Sequence, residues 1–445
     1  MNMSAPSSAP ASFDSKNNDG ITSGNPLTDT YLSIRQYSER LCLPLEIEDY
    51  GLQAMASTSP AKWHLAHTTW FFETFLLKPY SPDYQAFHPD FEYLFNSYYN
   101  GVGSQFPRHQ RGLLSRPTVD QVYQYRRHVD EAICRLLDAI PPRSADEITT
   151  RLELGCHHEQ QHQELFYTDL KYCWFQNPLH PAYSNEPLSM SAPLPPLSWQ
   201  SFDGQLQQIG HDPENGFCFD NELPRHQQYV EGFRIADRLV SNGEFLAFIE
   251  DGGYQRPDLW LADGWAKLAA NGSESAQTPA PLYWLERDGQ WLEYTLHGLG
   301  SLDPNRPACH LSAYEADAFA RWKDCRLPTE FEWEVSATTL SNSAECRSTS
   351  EIGLLHPQYA DQRTPEANIT GSLWQWTSSA YSSYPGFSTA EGALGEYNGK
   401  FMANQLVLRG GSIATSPGHY RHSYRNFFYP QDQWQFTGVR LAQNL

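Results

Sequence analysis

Residues 156–162 read Cys-His-His-Glu-Gln-Gln-His. On a helix, His158 and His162 lie four apart, so both rings share one face within reach of a single metal ion. The surrounding segment Ser144–Phe175 reads as one long helix, with a break expected near Gly155. The same letters spell HExxH, the signature of zinc hydrolases in which the glutamate, here Glu159, is the general base. Such enzymes take a third ligand from a helix downstream, whereas this chain runs into a proline-rich stretch. A zinc hydrolase is therefore the weakest reading of the motif.

A third ligand is available upstream. The segment Pro60–Leu77, PAKWHLAHTTWFFETFLL, is a long apolar and aromatic helix with proline in its first turn. It offers His64 and His67. Three neutral imidazoles converging from two helices leave coordination positions open, which suits Fe(II) and O₂ chemistry as well as zinc or copper. Spacing alone does not choose the metal or between the two upstream rings.

Two further helices are expected. Thr28–Leu41 spaces apolar residues at helical intervals, and Thr118–Ile140 does the same before Pro141-Pro142 ends it. Four helices predict a bundle, with ligands in its core. The expected organisation is a disordered N-terminus at 1–26, a helical bundle at 27–176, a stiff proline-rich linker at 177–197, and a loop-rich α+β domain at 198–445. In the last part, short helices are expected at Asn242–Ile249 and Ala313–Lys323.

The 445 residues include 13 Trp, 25 Tyr and 23 Phe against only 19% charged residues, which calls for large aromatic cores. A net charge of −21 argues against a nucleic-acid or anionic-membrane surface. No run of about 18 apolar residues marks a membrane span, and the N-terminus has no signal-peptide pattern. The eight cysteines are scattered without a CxxC pair, which reads as free thiols in a reducing, cytoplasmic setting.

Two of these stretches, PAKWHLAHTTWFFE at 60–73 and HHEQQHQELFYTDLK at 157–171, resemble the DinB-like helical domain of ergothioneine-biosynthesis sulfoxide synthases. The second half resembles the formylglycine-generating-enzyme (sulfatase-modifying factor) fold, a C-type-lectin-like architecture. Its marks are Asp220-Asn221-Glu222-Leu223-Pro224, Arg326-Leu327-Pro328-Thr329-Glu330, Trp374-Gln375-Trp376-Thr377-Ser378 and Leu408-Arg409-Gly410-Gly411-Ser412. The resemblance spans roughly residues 27–443. It implies an enzyme that uses Fe(II) and O₂ to join the sulfur of cysteine to C2 of the imidazole of hercynine (trimethylhistidine), leaving a sulfoxide.

Carried onto this sequence, the resemblance implies His67, His158 and His162 as iron ligands, with His64 as packing. It implies Gln161 as a hydrogen-bond partner of hercynine, and Tyr98 or Tyr99 as the source of a proton or electron. Arg108 and Arg111 would hold the thiol substrate's carboxylate, and Asn426 would contact hercynine. Phe427 would face its quaternary ammonium. Phe428 stands where members that use γ-glutamylcysteine carry an acid, which points to free cysteine as donor. The two copper-binding cysteines of formylglycine-generating enzymes have no counterpart in Arg409–Arg425, so that activity is not expected. The alternatives are a selenoneine synthase using a selenosugar and a non-catalytic metal-binding module. Oligomeric state is not legible.

Overall fold

The computed structural model describes residues 24–272, 278–340, 355–359 and 369–445. Most of the N-terminal segment expected to be disordered lies outside the described residues. α1 (Pro26–Leu41) begins where the Asn25 side chain accepts the Leu27 N–H, with proline at the first helical position. α2 (Ala61–Phe72) follows Pro60 and passes through a π-helical turn, Glu73–Leu77, into the short α3 (Lys78–Tyr80). After α4 (Phe91–Phe95) comes α5 (Val119–Asp138), closed at its start by a reciprocal Thr118/Gln121 capping box. α6 (Ala145–Phe175) completes the set. α2 packs on α5 and α6, and α1 packs on α5 and α6.

The break expected at Gly155 does not occur: α6 is continuous through it. The glycine answers a different need. A Cβ there would lie 2.4 Å from the Phe72 ring, so it lets α2 and α6 approach closely.

α6 is polar on almost every side, yet most of it is buried. Each face has its own partner. Glu159 is held by Arg35 (2.7 Å), Arg126 (3.1 Å) and Ser38 (2.6 Å) from α1 and α5. Glu164 accepts from Trp374 (2.7 Å), Ser412 (2.6 Å) and Thr415 (2.8 Å) in the C-terminal region. His158 and His162 face α2.

Residues 177–197 run without helix or strand but are tied down, for example by Tyr183 to the carbonyl of Leu41 (2.8 Å) and Arg306 to that of Ser189 (2.6 Å). Beyond them come β1 (Trp199–Phe202), β2 (Gln205–Ile209), β3 (His226–Val230), β4 (Phe233–Ala236), α7 (Asn242–Glu250), α8 (Ala262–Gly272), β5 (Trp284–Arg287), β6 (Gln290–Thr295) and β7 (Gly298–Ser301). α9 (Ala313–Trp322), α10 (Glu330–Leu340), β8 (Trp374–Ala380), β9 (Leu406–Arg409), β10 (Asn426–Phe428), β11 (Thr437–Gly438) and β12 (Ala442–Asn444) follow. The sheets are small: β1-β4-β12, β10-β9-β8-β11, β2-β3 and β5-β6-β7. α7 and α9 match expectation, whereas α8 and α10 were not foreseen.

In α10 the reason is visible. Glu330, Glu332 and Glu334 are buried and paired with Arg425 (2.8 Å), Arg326 (2.6 Å) and Arg409, so the buried face is written in charges. Gly410 adopts φ +110°, and a Cβ would stand 2.7 Å from the Gln375 amide. The sequence marks of the C-terminal half thus build scaffold. Edge strand β10, in register Asn426↔Leu408 and Phe428↔Leu406, presents its residues to the helical region. The seven cysteines among the described residues are all free thiols.

Candidate metal centre and substrate cavity

α2 delivers His67 and α6 delivers His158 and His162. One nitrogen from each ring lies within 4.8 Å of the others. His67 is clasped between the Trp63 ring (4.5 Å, 12°) and the Trp70 ring (5.5 Å, 14°). Its Nδ1–H donates to the Phe95 carbonyl at 2.6 Å, which leaves a buried Nε2 without a hydrogen-bond partner. Among the described residues, neither nitrogen of His158 has a partner. Buried polar atoms are nearly always satisfied, so bare lone pairs converging on one point fit a cation that supplies the missing bonds.

Burial, joined by the neighbouring His158, pushes the His67 imidazole well below its ordinary value, against the pull of the Phe95 carbonyl. Burial lowers His158 to about 3. Burial and then His158 and His67 hold His162 down as well. All three rings are neutral at physiological pH, the form that ligates metal.

Glu159 settles the zinc-hydrolase reading. It points away from the three rings into the α1–α5 face, fully buried. Burial alone would raise its carboxyl, but Arg35 and Arg126 outweigh it and hold the group below its usual range. A base so committed cannot reach a metal-bound water.

His64 is not a free ligand. Its Nε2 lies 3.2 Å from Asp169 Oδ2 and its Nδ1 lies 2.8 Å from His162 Nδ1. Both nitrogens are occupied, which selects His67 of the two upstream rings. The packing role expected for His64 is corrected to a hydrogen-bonding one.

The rings of His158 and His162 open onto a cavity of about 470 Å³ between the helical and C-terminal regions. Gln161, Tyr98, Arg108, Arg111, Asn426, Phe427 and Phe428 all line it. Tyr99 does not: it lies fully buried behind Tyr98, the rings 4.6 Å apart. Burial raises both phenols, so each is protonated at neutral pH. Arg111 is buried, stacks on Trp63 at 3.4 Å, and donates only to Ser59 (2.9 Å) and Ser97 (3.1 Å). Among the described residues it has no carboxylate within ion-pair distance, and burial with the nearby Arg108 pushes its guanidinium down. Arg108 is more exposed and donates to the Ser57 carbonyl at 2.6 Å. Phe427 stacks on Tyr381 at 4.0 Å, giving a broad aromatic wall.

Among the cavity residues missed in the sequence are Tyr397 and Asp432. Tyr397 donates to the Gln161 side-chain oxygen, while the Gln161 amide donates to Tyr424 at 2.6 Å, fixing the glutamine from both ends. The Tyr397 ring lies 5.6 Å from that of His158. Nothing in the run around Tyr397 signals this. Asp432, its carboxyl raised by burial to about 6, also lines the cavity. The Phe428 ring offers an ammonium no partner, but the Asp432 carboxylate four residues on lines the same cavity.

The sulfatase-modifying factor enzyme 1-like domain family matches residues 203–362 and 358–445. A hercynine oxygenase of Mycolicibacterium smegmatis is 28% identical over 433 residues, covering 91% of this chain and 96% of the relative. A hercynine oxygenase of Mycobacterium tuberculosis is 32% identical over 258 residues, covering 53% of this chain and 59% of the relative. A formylglycine-generating enzyme of Streptomyces coelicolor is 25% identical, covering 58% of this chain and 95% of the relative. The relative that extends across the helical region is thus a hercynine oxygenase, whereas the formylglycine-generating enzyme covers little more than half of the chain. With over half its length matched, the chain belongs to the sulfatase-modifying factor family, and within it resembles the sulfoxide synthases of ergothioneine biosynthesis.

Proposed function

We propose that the protein acts in ergothioneine biosynthesis as a non-haem Fe(II)- and O₂-dependent sulfoxide synthase, joining the sulfur of cysteine to C2 of hercynine. The observation that carries this reading is the His67, His158 and His162 group, two of whose rings, His158 and His162, line a cavity that also holds Arg111 and an aromatic face. In the balanced reaction the thiol S–H and the imidazole C2–H are lost and the C–S bond forms. One oxygen atom goes to sulfur, and the other leaves as water with both hydrogens. Fe(II) bound by the three histidines would activate O₂, and the four electrons that reduce it come from C–S bond formation and oxidation of the sulfur.

The chain's own residues do the rest. Gln161, clamped by Tyr397 and Tyr424, orients the hercynine imidazole, and Phe427 gives the trimethylammonium an aromatic surface. Arg111 receives the donor's carboxylate, for which its fork is suited and for which, among the described residues, no carboxylate stands within ion-pair distance. Tyr98, kept protonated by burial, holds a transferable proton at the cavity wall, with Tyr99 stacked behind it. Holding the two organic substrates on adjacent walls supplies proximity.

The test is product mass spectrometry on purified protein with hercynine, Fe(II), O₂ and equal concentrations of cysteine, γ-glutamylcysteine and a selenosugar. Hercynylcysteine sulfoxide as main product is expected. A clear preference for another donor overturns the cysteine assignment, and no oxidised adduct from any donor overturns the function.

A further inference from the structure

His64 has no role as a ligand, yet it touches one. We propose that His64 and Asp169 are positioning residues that set the tautomer of His162, so that Nε2 is the nitrogen His162 offers to a metal. This rests on the metal-site reading above.

Two ring nitrogens 2.8 Å apart share one proton, so either His162 Nδ1 or His64 Nδ1 carries it. If His64 carried it, His162 would hold its own proton on Nε2 and could not ligate. The choice is made one residue further out. Asp169 Oδ2 lies 3.2 Å from His64 Nε2, and a carboxylate oxygen there requires a donor. Asp169 is itself fixed as an acceptor, because Oδ2 takes the Ser59 N–H (2.7 Å) and Oδ1 takes the Trp434 indole N–H (3.1 Å). His64 therefore carries its proton on Nε2, accepts at Nδ1, and obliges His162 to be protonated at Nδ1. The lone pair is left on His162 Nε2.

The three ligands are thus prepared unequally. A backbone carbonyl fixes His67, an imidazole backed by a carboxylate fixes His162, and His158 has no hydrogen-bond partner. Groups that fix a ligand's tautomer typically account for 10–100-fold in metal affinity. The Trp434 bond adds a link, since it comes from the C-terminal region and ends on the carboxylate that orders a ligand in the helical one.

Co(II) alone is the probe, titrated into metal-free full-length protein and followed by its visible absorption. Asp169→Asn places an amide N–H where a carboxylate oxygen accepted, and His64→Leu removes the acceptor. Each is expected to weaken Co(II) binding by about 10–100-fold. His64→Asn puts an amide oxygen near the position of Nδ1 and is expected to keep most of the affinity, an outcome that packing alone does not produce. Should leucine at 64 unfold the helical region, the Asp169→Asn and His64→Asn pair carries the decision. Full affinity in Asp169→Asn and His64→Leu, with loss in His162→Ala, overturns this inference and leaves the metal centre standing. Parental affinity in His162→Ala removes the centre, and this inference with it.

Discussion

His158 and Glu159 are consecutive residues of one helix, and both are buried, at 1% and 0% exposure. Their surroundings are opposite. Glu159 has two guanidiniums and a hydroxyl on its oxygens, whereas His158 has no partner on either nitrogen among the described residues. A fold built only for stability has no reason to treat them differently, since an unpartnered buried polar group costs about 1–3 kcal/mol. The contrast lies within a single turn: Glu159 is saturated, and His158 waits for something the described residues do not supply.

The largest effect should come from the unsaturated side. His158→Ala or His162→Ala is expected to abolish both metal retention and sulfoxide formation, read by elemental analysis and product mass spectrometry. Metal retained at the wild-type level by both variants would erase the contrast. Phe at the catalytic one of Tyr98 and Tyr99 is expected to slow C–S bond formation by about 10²–10⁴-fold while metal content stays normal. Wild-type rate and product in both single variants would remove the phenols from the mechanism.

The saturated side should respond in stability instead. Glu159→Ala leaves two buried guanidiniums facing each other and is expected to cost about 3–5 kcal/mol in chemical denaturation, with metal per folded chain unchanged. The pH dependence has a definite sign. Because the folded-state carboxyl is held below its usual value, its stabilisation is full above the ordinary carboxylate range and fades as pH falls through the depressed value. The stability gap between wild type and Glu159→Gln should therefore narrow on acidification below about pH 4. A gap that widens there would contradict the ion-pair account. The smallest effect is at the α2–α6 contact. Gly155→Ala should cost about 1–3 kcal/mol by overpacking against Phe72, measurable as a lower melting temperature.

The four long helices were legible because apolar spacing and end signals repeat over many residues. Gly155 misled because a glycine inside a helix reads as a break when only its chain neighbours are known; the Phe72 ring that explains it comes from another helix. The C-terminal strands are two to seven residues long and joined irregularly, so no period exists to be read. There the motifs spoke only through resemblance. At the site, His158 and His162 announced themselves by spacing, whereas the partners that occupy each nitrogen of His64 were not legible there. Tyr397 and Asp432 stayed invisible because their closeness to the site is created by the docking of two distant parts of the chain.

The cysteines of this chain have a consequence for its working life. Burial pushes Cys42 and Cys218 up to about 12, and raises Cys156 and Cys309 as well. The thiolate is the form that peroxides attack, and here it is suppressed. Under the proposed function, a catalyst that brings thiols and O₂ together would now and then release reduced oxygen into its own surroundings. With these sulfurs held as un-ionised thiols, such misfires would meet no thiolate at Cys42, Cys156, Cys218 or Cys309.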